Sequence, residues 1–317
     1  MTTYLVREEN AKPSDKYGTQ PDKRSIQELK EFGVVVIDKP SGPTSHQTSA
    51  YVQQLLGIHK AGHSGTLDPK VTGVLPVATG KATRLVEYLL KAGKEYVGVM
   101  HVHKNVPQYE LRKAQQTFIG KIQQLPPKRS AVARRVRTRE VYAFEFLEVR
   151  QRDVLFRADV QAGTYIRKLC SNFGEEVGVG AHMAELRRTR ASHYTEEQAV
   201  TLHTLSDAHA LAKEGDETAF RNMVFPGEDI VKHLPAVIVL DSAVHSLTQG
   251  ATLKVPGVAK VQNTVKQGSE VRVLTLKHEL IGIGTARMSA KDMLADKGVA
   301  IKMDKVVMDK DVYPRME

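Results

Sequence analysis

The sequence predicts an α+β chain of two domains, a large one that mixes strands with helices and a small C-terminal β-barrel. Length is the first reason: 317 residues exceed one typical domain of about 100–200 residues. A boundary signal is the second, since Pro226-Gly227 and Pro235 interrupt the chain within ten residues. The third is a change of texture, because beyond Pro235 short β-branched runs replace helical periodicity, as in a small barrel. The expected division is an arm at 1–32, a main domain at 33–233 and a barrel at 234–317.

Residues 7–31 are polar and read as an extended arm ending in a short helix. Gly33–Asp38 is a compact β-branched run, hence a buried strand, and Lys39-Pro40-Ser41-Gly42-Pro43 must be loop. Thr44 and Gln47 have capping-box spacing and open a helix that Gly57 stops. Ala82–Leu90 reads as another helix. Tyr96–Val102 and Val141–Val149 alternate like strands. Thr164–Glu176 predicts a helix with Ile166, Leu169, Cys170 and Phe173 on one side. In the barrel, Val237–Leu240, Val271–Leu276, Leu280–Met288 and Val299–Met308 are strand candidates, with a helical stretch at Asp241–Thr248.

The net charge of +10 is concentrated rather than spread. Lys121 to Arg152 holds nine Lys+Arg against three Glu, among them Lys128, Arg129, Arg134, Arg135, Arg137 and Arg139. Arginine suits forked contacts to phosphate, so the segment fits a polyanion footprint, although a short charge run is equally a solvated surface. Arg187, Arg188 and Arg190 form a second group.

Several chemistries are excluded. One cysteine, Cys170, cannot form an intramolecular disulfide or a multi-cysteine metal site, and its place on an apolar helix face predicts burial. His59 and His63 are four apart, but Gly62 and Gly65 oppose a helix and no third ligand is evident. No phosphate loop and no Gly-x-Ser-x-Gly elbow is present. No apolar run approaches about 18 residues, and the first ten residues lack a signal-peptide centre, so a soluble, cytoplasmic protein is expected.

The stretch Ala61–Gly80 (AGHSGTLDPKVTGVLPVATG) is the most informative. It reads as a long ordered loop whose glycines permit close approach by a ligand. Its one carboxylate, Asp68, stands between Leu67 and Pro69, a position that is ordinarily a turn or cap.

This stretch resembles the signature loop of the TruB class of pseudouridine synthases, through Gly62 and the run His63 to Pro69. The likeness continues in family order. Val36 to Pro40 with Gly42 to Ser45 resembles the first motif, Lys94-Glu95-Tyr96 the tyrosine motif, Gly163 to Arg167 the arginine motif and His182 to Arg188 the last. The N-terminal arm, the connection from Pro126 to Glu140, and Gly250–Val258 (GATLKVPGV), which resembles a PUA domain, look like the dyskerin branch in its archaeal form.

The resemblance implies a catalytic domain with a large mixed or antiparallel sheet flanked by helices, plus a PUA barrel against which the arm packs. It implies isomerisation of uridine to pseudouridine in RNA, with no cofactor and no metal. By motif position Asp68 is the nucleophile, Arg167 its partner and Tyr96 the residue that stacks on the flipped base. Leu186 walls the pocket, His63 lies near the displaced nucleotide, and Lys39 orders the loop. Arg134, Arg135 and Arg137 are expected to grip the RNA backbone, and Gly250, Lys254, Pro256 and Gly257 to contact RNA from the PUA domain. Taken one by one, Tyr96 is equally strand core, Leu186 packing and Arg167 a surface helix residue.

The implied setting is the catalytic subunit of an H/ACA particle acting on rRNA and possibly tRNA. Its partners would be a guide RNA and small proteins, including a zinc-binding or zinc-derived one, a glycine/arginine-type one and a kink-turn-binding ribosomal protein, with no membrane. The alternatives are a stand-alone synthase for the tRNA T-loop and a non-catalytic RNA-binding scaffold.

Overall fold

The computed structural model describes residues 3–126, 133 and 135–315. Two compact units are present: Val35–Thr79 with Leu85–Val224, and Met1–Val34 with Gly80–Arg84 and Phe225–Glu317.

The first unit is built on a mixed sheet. Neighbouring strands run Phe32–Lys39, Thr72–Gly80, Ala181–Ala191, Lys94–Val102, Asp153–Val160, Arg137–Arg150 and Gly120–Gln124. Thr72–Gly80 and Ala181–Ala191 pair in parallel, whereas the pairings from Ala181–Ala191 to Gly120–Gln124 are antiparallel. Lys94–Val102 alternates strictly between buried and half-buried positions, the period-two pattern of a central strand. Helix Ser45–Leu56 starts at the expected capping box of Thr44 and Gln47 and ends at Gly57 in the left-handed conformation.

Helix Ile166–Glu176 buries Leu169, Cys170 and Phe173 completely. Phe173 meets Phe144 and Phe146 edge-on at 6.2 and 5.4 Å between ring centres. Each such ring contributes about 1.5–3 kcal/mol through burial alone, which fixes the helix against the sheet. Burial pushes the Cys170 thiol up to about 12, so it stays protonated and unreactive.

The stretch Ala61–Gly80 differs from expectation. It holds two strands, Ala61–His63 and Thr72–Gly80, which pair with each other, and only residues 64–71 form loop. Val74, Leu75, Val77 and Ala78 are fully buried, and this apolar run outweighs the glycines and Pro76. The helix expected at Ala82–Leu90 is a 3-10 turn, Lys81–Leu85, followed by a short helix, Val86–Lys91. Strands Asp153–Val160 and Ala181–Ala191 were not expected.

The second unit holds a seven-stranded sheet in the order Tyr4–Val6, Val258–Gln262, Ala236–Val239, Glu270–Leu274, Leu280–Ala286, Val299–Val306 and Leu253–Lys254. Its core gathers Val237, Val261, Val271, Ile281 and Ile301 with Val244 and Leu247 of helix Asp241–Thr248. The arm is woven into this unit. Tyr4–Val6 pairs antiparallel with Val258–Gln262, and Lys277 Nζ donates to the carbonyls of Tyr17 and Gly18 at 2.6 and 3.0 Å. Glu279 is buried and accepts from Thr19 N, Thr275 Oγ1 and Tyr313 Oη at 2.9, 2.9 and 2.6 Å.

That carboxylate satisfies two buried donors and a part-buried one at once, so its removal strands the buried pair. Glu279→Ala is expected to lower unfolding free energy by about 2–4 kcal/mol, measured from the urea midpoint at unchanged slope.

Candidate active site

Loop 64–71 is held by its backbone, which leaves one carboxylate free to project. Leu67 and Val71 on either side of Asp68 are buried in the core. Ser45 Oγ, at the start of its helix, accepts from Leu67 N at 2.8 Å and donates to Leu67 O at 3.2 Å. Lys39 Nζ donates to the carbonyls of Pro40, Pro69 and Val71 at 2.8, 3.0 and 2.9 Å. Gly42 N donates to Pro69 O, and Val71 N closes a turn onto Asp68 O, both at 2.9 Å. Arg188 donates to Gly65 O at 3.3 and 3.4 Å. Gly65 adopts φ +127°, which excludes a side chain without strain.

Asp68 and Arg167 meet as a fork. Arg167 Nη2 donates to Oδ1 at 3.2 Å, and Nε lies 3.0 Å from Oδ2. Both side chains are almost half exposed, so the pair faces solvent and remains open to a ligand. Arg167 is the second residue of helix Ile166–Glu176, whose start is anchored by a residue the sequence reading missed. Gln124 is buried at the end of its strand, where its side chain accepts from Tyr165 N at 3.0 Å and donates to Tyr165 O at 3.2 Å. A buried glutamine ending a strand carries no distinctive sequence signal.

Tyr96 and Leu186 come from adjacent strands of the sheet. In register, Tyr96 stands opposite Arg188 and Gly98 opposite Leu186. A Cβ on Gly98 would lie 2.8 Å from Leu186 Cδ1 and 2.7 Å from Glu185 O, so this glycine makes the space that Leu186 occupies. One apolar cluster joins Leu67, Val71, Tyr96 and Ile166, with Leu186 packed partly exposed against it. The side chains flanking Asp68, the residue next to Arg167, Tyr96 and Leu186 are thus brought together.

His63 ends the strand Ala61–His63, and its Nδ1 accepts from Gly65 N at 3.3 Å. Burial, then Arg188 and His46, pull its imidazole below the ordinary histidine value, which favours the neutral ring with Nε2–H as donor. Lys39 is fully buried under the loop and does not reach the surface that Asp68 faces.

Arg135 is exposed, and Arg137 begins its strand directly opposite Gln124. Through Gln124 this basic strand end adjoins Tyr165 and the start of the Arg167 helix. Arg134, Lys128 and Arg129 lie outside the described residues. The group 187–190 is not a free basic patch. Arg187 forks onto Asp38 at 2.9 and 3.1 Å and also pairs with Glu196, Arg190 pairs with Asp159 at 2.7 Å, and Arg188 is buried.

In the second unit, Lys254, Pro256 and Gly257 line a cleft of about 480 Å³ together with Ser242, Ala243 and Ser246. Gly250 is exposed just past the helix end, at φ +85°. The small and hydroxyl side chains in this lining suit a ligand read by shape and hydrogen bonds.

Comparisons with known proteins agree with one another. The model for the TruB family pseudouridylate synthase N-terminal domain matches residues 53–166, and that for the tRNA pseudouridylate synthase B C-terminal domain matches 167–232. A PUA domain matches 235–307 and a DKCLD domain matches 1–49. The probable tRNA pseudouridine synthase B of Pyrococcus furiosus is 50% identical over 315 residues, covering 98% of this chain and 93% of the relative. That of Methanopyrus kandleri is 47% identical over 313 residues, covering 98% and 93%. Among solved structures, a chain of an H/ACA ribonucleoprotein bound to a substrate RNA containing 2′-deoxyuridine superposes with TM-score 0.91 at 48% identity, over 99% of this chain and 97% of that one. A chain of a Cbf5-Nop10-Gar1 complex superposes with TM-score 0.91 at 50% identity, over 100% and 97%.

Lys94 gives the region a pH signature. Its ammonium is buried beside the loop, donates to Leu89 O, Leu90 O and Ala92 O, and is pulled down to about 8 by burial, then by Arg188 and Arg190. The unfolded chain holds this proton up to the ordinary lysine value of 10.5. Between these values the unfolded state binds more protons, so this group's contribution to stability rises with pH. Unfolding free energy of the wild type minus that of Lys94→Met is expected to increase from pH 8 to pH 10.5, as read by urea titration. A difference that is flat across that window contradicts the assignment.

Proposed function

This chain belongs to the TruB family of RNA pseudouridine synthases, in its dyskerin branch, and we propose that it isomerises guide-selected uridines with Asp68 as nucleophile. The observation that carries this reading is the Asp68–Arg167 fork, presented at the surface by a loop whose neighbouring backbone is fixed. The reaction breaks the N1–C1′ bond, turns the uracil and forms a C5–C1′ bond, while a proton leaves C5 and N1 gains one. A single carboxylate nucleophile can serve it, because the base is both leaving group and acceptor. Arg167 holds the carboxylate in place and aimed.

A uridine in structured RNA must leave its stack, at a cost of a few kcal/mol, before Asp68 can reach it. Stacking on an aromatic ring returns about 1–3 kcal/mol per base, and Tyr96 is the ring beside the Asp68 loop. Leu186 supplies the apolar wall, and neutral His63 a donor at the rim where the displaced nucleotide was. Lys39 acts on the loop alone, through its three carbonyl contacts.

The guided setting is supported by full-length similarity to chains of an H/ACA ribonucleoprotein and of a Cbf5-Nop10-Gar1 complex. On this reading the cleft at Lys254, Pro256 and Gly257 holds the guide, with exposed Gly250 nearby, and small proteins of that particle bind the chain. The domain division at 32 and 233 is part of the same proposal, as is a cytoplasmic location. No helix among the described residues is long and apolar enough to cross a membrane. A second reading, unguided action on tRNA, is favoured by the relatives' name, tRNA pseudouridine synthase B.

Asp68→Asn is expected to lower pseudouridine formation by at least about 10³-fold, mapped in target rRNA and tRNA with and without guide and partners. RNA affinity should hold or tighten slightly, since a negative charge facing the RNA is gone. Guide-dependent rRNA modification separates the first reading from the second, and an active Asp68→Asn overturns both. Replacing Arg134, Arg135 and Arg137 together by alanine should reduce the slope of log affinity against log salt by about 0.7–0.9 for each phosphate that these arginines neutralise. An unchanged slope removes the segment from the RNA interface.

A further inference from the structure

Arg188 is the largest fully buried side chain among the described residues, with 1% of its surface exposed. A buried guanidinium normally faces a carboxylate, since removing such a charge from water is costly. The ion pairs of the described residues include none for Arg188. Its donors end on backbone instead: Nε on Val74 O at 2.7 Å, and both terminal nitrogens on Gly65 O. Val74 belongs to the strand that leaves the Asp68 loop, and Gly65 lies three residues before Asp68. On the sheet, Arg188 is the direct partner of Tyr96 in the neighbouring strand, so the two side chains share a face.

We propose that Arg188 is a positioning residue for the isomerisation, a rigid brace that fixes the separation between the Asp68 loop and the Tyr96 ring. The proposal rests on the assignment of Asp68 and Tyr96 made above. Only a planar fork can reach Val74 O, Gly65 O and the tyrosine side together; a lysine ammonium in the same place can keep the charge but not the span. Burial pushes the Arg188 guanidinium below its ordinary value, and Tyr96 is the side chain that opposes this, which fits direct contact between them. Register, burial and the Gly65 contact therefore all tie one side chain to both halves of the proposed pocket.

The chemistry requires a base to detach, turn and be attacked again within one enclosure, so a change of a few tenths of an ångström between nucleophile and stacking ring matters. Arg188→Lys in the assembled particle is expected to slow single-turnover isomerisation at saturating RNA by about 10–100-fold. RNA affinity should stay within about twofold, because Arg188 is buried away from the RNA and makes no phosphate contact. The loss thus falls on kcat and not on binding. Combining it with Tyr96→Phe should cost at least about fivefold less than the product of the two single losses, because both act through the same contact.

Additive losses, or a loss confined to RNA affinity, overturn the proposal. Rates are taken per folded molecule, counted by stoichiometric RNA binding. Should Arg188→Lys not fold, Gly65→Ala tests the same brace from the loop side. Alanine is strained at φ +127°, and its Cβ would lie 3.5, 3.7 and 3.9 Å from Lys94 Cε, Leu90 Cδ2 and Arg188 Nη1, so the backbone that Arg188 holds must shift and the same step is expected to slow with affinity retained. A Gly65→Ala protein of full speed counts against the brace. Asp68→Asn runs beside these variants. If it stays active the functional reading itself fails, whereas an inert Asp68→Asn with a fully active Arg188→Lys sinks only the role of Arg188.

Discussion

Three buried cations terminate on backbone carbonyls, and two of them hold the loop that carries Asp68. Lys39 holds Pro69 and Val71, Arg188 holds Gly65 and Val74, and Lys94 ties off the chain between Leu89 and Ala92. Burying three charges is costly, and carboxylate partners would have offset the cost more fully. Carbonyl dipoles satisfy the cations without adding net charge, and the ion pair of Asp68 among the described residues is with Arg167.

The same sheet that carries these cations also spaces the apolar side of the pocket. Strands Lys94–Val102 and Ala181–Ala191 pair along their length, with register shifts at Glu95/Tyr96 and Val99/Met100. Between the shifts, Tyr96 opposes Arg188 and Gly98 opposes Leu186, so ring, brace and wall are set by ladder geometry rather than by loops. Elements placed by a hydrogen-bonded ladder vary less than residues carried on connections, which suits a reaction whose free base must not escape. The one loop that contributes, 64–71, is fastened at Gly65, Leu67, Pro69 and Val71, the alternate positions around Asp68.

Local chemistry was legible in the sequence wherever it repeats with a period or a cap. Thr44 and Gln47 announce their helix, Tyr96–Val102 its strand, and Ile166, Leu169, Cys170 and Phe173 the buried face of theirs. Asp68, Arg167, Tyr96 and Leu186 were singled out through motif order, and the fold brings their neighbourhoods together. Ala181–Ala191 was not legible as a strand because its residues are charged on both faces. Their partners, Asp38, Glu196 and Asp159, lie from nine to 149 positions away in the sequence. Gln124 was invisible for a related reason, since its value lies in clamping a residue 41 positions downstream.

Charge counting alone misjudges this molecule, because it treats every arginine as available. Arg187, Arg188 and Arg190 are consumed by internal carboxylates and carbonyls, so they stiffen the sheet and add little to an external field. Arg135 is exposed, and it stands two residues before Arg137, whose strand partner Gln124 anchors the helix of Arg167. On the proposed reading, a polyanion gripping that strand end would bear on the helix that carries Arg167. The C-terminal unit carries no comparable excess, only +3 over residues 234–317, and its cleft presents small side chains and backbone. On the proposed reading, phosphate contacts at the Arg135–Arg137 strand end would hold the RNA backbone while the C-terminal cleft reads shape.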